Sequence, residues 1–358
     1  MFHFQLIALR VIIWTELEQH LLNTAEPLVQ LVERERFSHR AKANWCPDYR
    51  LHVSFPAKVR ITESASRDGL QSLGVAIPTR AKSGLIDDLA ASGLDSFDAV
   101  SFVSPKWVPQ MADGADVVAG VESDVDLFGL VPNMKGLENG LAAGLTRFGV
   151  LTAASDTFNQ RNINATVDES MHRIRRILLE SPGGITFRAY VSTATHCPYE
   201  GPQDPDWVAH LARTLVEWGA EAVFLGETIG KATVYEVERL LDHVLGVVPV
   251  DRVGVHFHDT YGQAIANTFV ALERGVSQMD SSAGGLGGCP YAPGAAGNVA
   301  TEDLVFLLTG LGIEHGVDAR RVAEVAQRFC SDHNLVYNSK AGRALLAAEE
   351  DDELDIHK

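Results

Sequence analysis

Cysteine is scarce: the 358 residues hold only Cys46, Cys197, Cys289 and Cys330. They form no CxxC pair, which excludes a zinc ribbon and a disulfide framework and points to a reducing compartment. Cations are in short supply as well, with 30 Lys plus Arg against 47 Asp plus Glu and a net charge of −17. Such a surface repels a polyanionic backbone, so nucleic acid is not an expected partner. No apolar run reaches the roughly 20 residues that a membrane-spanning helix needs. The most apolar stretch near the start, 2–14, is broken by His3, Gln5 and Arg10, and Glu16, Glu18, Glu26, Glu33 and Glu35 follow it. Organelle-targeting peptides are poor in acids, so a cytoplasmic protein without membrane contact is expected.

What is present is the composition of an ordinary globular chain, 46% hydrophobic and 22% charged. From Lys58 onward, short β-rich apolar runs alternate with longer segments of helical period. The runs are 59–64, 94–102, 126–133, 147–154, 185–193, 222–228, 252–259 and 276–282; helix-like segments include 79–92, 168–180, 206–218, 233–245 and 261–273. Eight such units predict an α/β fold of the (β/α)8 TIM-barrel type. An open doubly wound sheet would carry a glycine-rich phosphate loop after its first strand, whereas 66–71 reads SerArgAspGlyLeuGln. The chain thus divides into an N-terminal extension of unassigned role (1–57), a catalytic barrel (58–316), a C-terminal helical region (317–348) and an acidic tail (349–358).

Catalytic groups in such barrels lie at the C-terminal ends of strands, which is where the polar chemistry of this sequence falls. His256 and His258 are one residue apart on a strand, so both imidazoles face the same way; they make half of a metal site or, more plainly, a hydrogen-bonded pair. Asp68 adds a hard oxygen and Asn298 a neutral carbonyl oxygen. That mixed set suits a six-coordinate divalent ion such as Mg or Mn. Zinc would recruit the cysteine, but Cys289 lies in GlyGlyLeuGlyGlyCysProTyr (284–291), better suited to meet a substrate carbon than to structural ligation. A small buried hydrophobe is the plainer reading of that thiol. Arg67 either stabilises an enolate or carboxylate oxygen or only holds a loop by salt bridges. Asp98 and Glu227, if they face inward, serve as base or as partner to a histidine or water, or simply satisfy Arg67.

Three stretches occur together and in order: SerPheValSerProLysTrpValProGlnMet (101–111), HisPheHisAspThrTyrGlyGln (256–263) and GlyLeuGlyGlyCysProTyrAla (285–292). They closely resemble the 3-hydroxy-3-methylglutaryl-CoA lyase family of metal-dependent TIM-barrel enzymes. The resemblance covers about 58–316 and includes CysProTyrGluGly (197–201) and GlyAsnValAlaThrGluAspLeuVal (297–305). It implies retro-Claisen cleavage of a 3-hydroxy-3-methylglutaryl-type thioester to acetyl-CoA and a keto acid, acetoacetate in the parent reaction, with a place in leucine degradation and ketone metabolism. It further implies Asp68, His256, His258 and Asn298 as metal ligands, Arg67 as the enolate-stabilising arginine and Cys289 as the loop cysteine.

The chain departs from that pattern at four places bordering the expected pocket. Asp98 stands where the family usually has Glu, and Glu227 where it has Asp. Ser-rich residues precede Arg67 in place of GlyPro, and His196 replaces a smaller residue. The two acid swaps compensate if both acids share one partner. A longer 3-alkyl or citramalyl-type thioester, a condensing synthase and a non-catalytic acyl-CoA-binding paralogue are the alternatives. Acyl-CoA is the expected partner, with Lys106 and Lys135 as candidate cations for it. A homodimer is expected because twofold assemblies are the commonest.

Overall fold

A computed structural model of the chain describes residues 55–288 and 297–355. Nearly all of the N-terminal extension, and Cys289 with its loop, lie outside the described residues. Eight parallel strands close into a barrel: β1 (Arg60–Glu63), β2 (Ser96–Ser101), β3 (Asp126–Leu130), β4 (Arg147–Ala153), β5 (Thr186–Ser192), β6 (Ala222–Glu227), β7 (Val253–Phe257) and β8 (Gln278–Ser281). Each pairs with its neighbours in sequence, and β8 pairs with β1 to close the ring. One strand falls within each of the eight apolar runs, because a strand covered on both faces reads as continuous hydrophobicity. In β6 all six residues are buried.

Helices α1 (Thr79–Ala90), α2 (Gly114–Gly120), α3 (Met134–Ala142), α4 (Asp156–Ile163), α5 (Val167–Glu180), α6 (Pro205–Glu217), α7 (Val234–Leu245), α8 (Ala264–Glu273) and α9 (Thr301–Leu311) follow or connect the strands. Their starts are written in local chemistry. Thr166 and Glu169 form a reciprocal capping box ahead of α5, and Thr233 and Glu236 do so ahead of α7. Val237, Leu240, Leu241 and Val244 place the buried stripe of α7 at helical spacing. Truncating one of them, such as Leu240, costs about 2–5 kcal/mol.

Inside the barrel, the Arg188 guanidinium lies 3.8 Å from the Phe128 ring centroid and 5.1 Å from that of Phe224, and donates to Thr62 Oγ1 at 2.6 Å. After β5 a two-residue hairpin pairs His196 and Cys197 with Pro202 and Gly201. Beyond the barrel, Asp318 caps α10 (Ala319–Asp332), whose Arg328 pairs with Asp88 of α1 at 2.6 Å. The last helix, α11 (Lys340–Asp355), extends into the acidic run. Among the described residues, no helix is long and apolar enough to cross a membrane.

Candidate active site

Asp68 belongs to one wide helical turn, Ala65–Gly69, that follows β1 directly. His256 lies in β7 and His258 just past its end, so the two-residue period does carry both rings to one side. The ligand atoms of Asp68, His256 and His258 all lie within 4.8 Å of one another. His256 Nε2 stands 3.7 Å and His258 Nε2 3.9 Å from Asp68 Oδ2. Asn298 joins them from the strand-like bridge it makes with His258. Its Nδ2 donates to Asp68 Oδ2 at 2.9 Å and to the Leu286 carbonyl at 3.1 Å, which leaves Oδ1 buried without a partner. An orphaned buried acceptor is costly. Beside a carboxylate and two imidazoles, it suits an oxygen-preferring divalent cation. Gly297 is needed for this placement: its φ is +91° and a Cβ there would lie 2.4 Å from the Gly285 carbonyl oxygen.

The charges hold Asp68 and His258 in metal-binding form. Burial works against the Asp68 carboxylate, but Arg67, His256, His258 and the Asn298 amide outweigh it and keep it well below the usual carboxylate range. Burial, with His256 beside it, pushes His258 down to about 4, so its ring is neutral at pH 7. Burial also opposes charge on His256, and the Asp280 hydrogen bond and Asp68 reverse that, so its pKa is raised. Asp280, on β8 directly across from His256, approaches His256 Nδ1 at 3.1 Å and turns Nε2 toward Asp68. Sequence reasoning missed Asp280. The available signal was an acid inside a strand run, one residue before the end of β8.

Arg67 makes the salt bridges considered for it. Its Nη1 donates to Asp68 Oδ1 at 2.6 Å, while Nε donates to Asp98 Oδ2 at 2.7 Å and Nη2 to that same oxygen. Asp98 is therefore the partner that fixes the guanidinium, and burial raises its pKa against Arg67's pull. Glu227 is elsewhere. Its neighbours Gly226 and Thr228 border the cavity, but its own Oε1 accepts from Thr195 Oγ1 at 3.1 Å and from the Lys231 amide at 3.2 Å. The two acids thus share no partner, and the expected compensation between their swaps has no geometric basis. Burial pushes Glu227 up to about 7.

These residues stand in a cavity of about 1150 Å³. Leu130, Leu151 and Tyr190 form an apolar wall, and Arg161 and Arg173 line its outer part. Lys106 and Lys135 do not line it; Lys135 instead pairs with Glu138 on its own helix at 3.1 Å. The arginines come from α4 and α5, two helices in succession after β4, an arrangement the strand-end rule does not anticipate.

A closed parallel barrel with a carboxylate, two imidazoles and an amide converging at the strand ends defines a metal-dependent barrel enzyme. The chain belongs to the HMGL-like family, whose model matches residues 58–328. It is a carbon–carbon lyase. Similar proteins include the mitochondrial hydroxymethylglutaryl-CoA lyase of Bos taurus, 47% identical over 294 residues that make up 81% of this chain and 90% of that one. The 3-hydroxy-3-isohexenylglutaryl-CoA/hydroxymethylglutaryl-CoA lyase of Pseudomonas aeruginosa is 45% identical, covering 82% and 99%. A crystal structure of hydroxymethylglutaryl-CoA lyase from P. aeruginosa superposes with a TM-score of 0.80 at 45% identity, again covering 82% and 99%. An HMG-CoA lyase from Acinetobacter baumannii, solved with coenzyme A and 3-methylmalate, gives 0.78 at 32% identity, covering 81% and 96%.

Proposed function

We propose that the protein cleaves a 3-hydroxy-3-methylglutaryl-type CoA thioester to acetyl-CoA and a keto acid. The observation that carries this reading is the convergence of Asp68, His256 and His258 with the unpartnered Asn298 Oδ1, next to a guanidinium held in place by Asp98. These four residues would hold Mg or Mn. A bound divalent cation supplies Lewis-acid polarisation of the substrate's hydroxyl and carboxylate oxygens.

The rest follows from the side chains. Transfer of the tertiary hydroxyl proton to a general base in the cavity lets the adjacent carbon–carbon bond break, which releases the keto acid and leaves a thioester enolate. Arg67, preorganised by Asp98, meets the charge that develops on that enolate. The Cys289 thiol serves as the acid that protonates the enolate carbon to give acetyl-CoA. His256, oriented by Asp280, and neutral His258 keep their Nε2 lone pairs available. Glu227 is assigned a positioning role, holding the loop after β6 through Thr195 and Lys231. Arg161 and Arg173 are placed to meet the anionic thioester carrier. Cytoplasmic residence and a homodimer belong to the same proposal; curated relatives include both mitochondrial and cytoplasmic forms.

The apolar wall of Leu130, Leu151 and Tyr190 favours a second reading in which a longer 3-alkyl group is accepted, as the name of the P. aeruginosa relative describes for that enzyme. Purified protein with Mg or Mn, offered 3-hydroxy-3-methylglutaryl-CoA and 3-alkyl homologues, should release acetyl-CoA. Folded, metal-loaded protein that releases none from any of them sinks the proposal.

A further inference from the structure

The C-terminal helical region reaches back over the barrel mouth at one short segment, 337–340. Tyr337 OH donates to Glu302 Oε1 at 2.8 Å, and both oxygens of Glu302 accept from the Gly284 amide at 3.0 Å. The Asn338 amide donates to the Gly284 carbonyl at 2.8 Å. Gly284 has a φ of +66°, and a Cβ there would lie 3.0 Å from Tyr337 Cδ2, so ring and turn are in close contact. Two residues on, the Leu286 carbonyl receives the Asn298 amide. Lys340 Nζ donates to Asp259 Oδ2 at 2.7 Å. Asp259 follows His258 directly, and its amide donates to the Gly297 carbonyl at 3.0 Å, next to Asn298.

Lys340 is itself held. Asp303 Oδ1 accepts from Ser339 Oγ at 2.8 Å and from the Lys340 and Ala341 amides at 2.9 and 2.6 Å. Segment 337–340 therefore touches two places that adjoin the metal ligands: the turn 284–286, whose Leu286 carbonyl accepts from the Asn298 side chain, and Asp259, whose amide crosses to the Gly297 carbonyl between His258 and Asn298. We infer that Tyr337 and Lys340 are positioning residues for the metal site, setting where Asn298 and His258 stand relative to Asp68. This inference rests on the metal-site reading above and adds to it that ligand geometry is imposed from outside the barrel.

Charge and positioning predict opposite signs here. Removing a cation one residue from a ligand would, by Coulomb's law alone, tighten binding of a metal cation; losing the clasp would weaken it. The test is Mn²⁺ affinity of the full chain by titration calorimetry, with the melting temperature of the metal-free protein measured alongside. Lys340→Met and Tyr337→Phe are each expected to raise the Kd about threefold to tenfold, below the effect of removing a direct ligand partner. Lys340→Arg should restore it. Arg328→Ala, which cuts the α10 to α1 ion pair and loosens the same region elsewhere, should leave Kd unchanged. A tighter or unaltered Kd in Lys340→Met overturns the inference, as does an equal loss in Arg328→Ala. Lys340 is largely exposed, so its variant folds and decides the matter even if Tyr337→Phe does not. No Mn²⁺ binding by the parent chain would instead remove the metal-site reading, and this inference with it.

Discussion

Asp68 and the glutamates Glu63 and Glu302 all stand at the barrel mouth, and their pKa values are moved in opposite directions. Asp68 faces Arg67, His256 and His258 and is held as an anion. Glu63 and Glu302 are fully buried where the Asp68 side chain keeps 19% of its surface, and their partners are neutral donors: Ala65, Ala283 and Thr301 for Glu63, and Gly284 and Tyr337 for Glu302. Burial pushes both up to about 7 against those hydrogen bonds. Burial opposes charge on all three acids, and only Asp68 has neighbouring cations to outweigh it, which separates an acid that can serve a metal from those that brace a turn.

The largest effect should come from removing the anion. Asp68→Asn is expected to lower acetyl-CoA release by about a thousandfold and to weaken Mn²⁺ binding severely, since it exchanges the site's anionic ligand for a neutral amide; near-parent affinity would show that the two acid groups are not distinguished as described. Next is Arg67→Met, expected to cost about 10²–10³ in kcat and also to destabilise, because Asp98 is left buried and unpaired. Adding Asp98→Asn should recover the melting temperature without recovering turnover. Recovery of both would assign Arg67 to structure alone. Asp280→Asn should weaken Mn²⁺ binding by about 10–100-fold by releasing the His256 ring, which the same titration reads out.

The smallest effect lies on the neutral side of the comparison. A folded-state pKa of about 7 against an ordinary 4.5 means that folded Glu302 holds a proton that the unfolded chain has lost between those values. Stability therefore falls as pH rises from about 4.5 through about 7, by about 3 kcal/mol at most for one such group. Glu302→Gln should flatten that part of the stability profile in urea unfolding. An unchanged slope would mean that Glu302 is ionised in the fold.

The barrel was legible because its strands appear as eight short β-rich runs alternating with helix-like segments, and the convergence of the two imidazoles because histidines two apart on a strand must share a face. Asp280 was not legible: its role depends on lying across from His256, a register that only sheet pairing sets. Glu227 was misjudged because it is the last residue of β6, where alternation gives way to the turn and its carboxylate follows the loop amides. Lys106 and Lys135 were chosen for lying near strand ends. The arginines that line the cavity come from α4 and α5, and the chain reads as one helix per strand until the double connection after β4 is seen. Glu63 and Glu302 gave no signal, since a buried glutamate bracing backbone amides has no spacing of its own.

Arg188 gives the net charge of −17 a different meaning. Its guanidinium is permanently ionised and fully buried, and among the described residues it meets hydroxyls and aromatic rings, not carboxylates. It lies on the same strand as Tyr190 of the cavity wall, two residues before it. A molecule whose exterior is anionic thus buries a positive charge that, among the described residues, has no carboxylate at hydrogen-bonding distance, with Asp98 and Asp280 acting beside it on Tyr190. Low-dielectric walls focus such a field along the barrel. An anionic substrate repelled by the surface at long range meets the Arg188 charge only at short range, so raising ionic strength should relieve the outer repulsion while leaving the inner contribution largely unscreened.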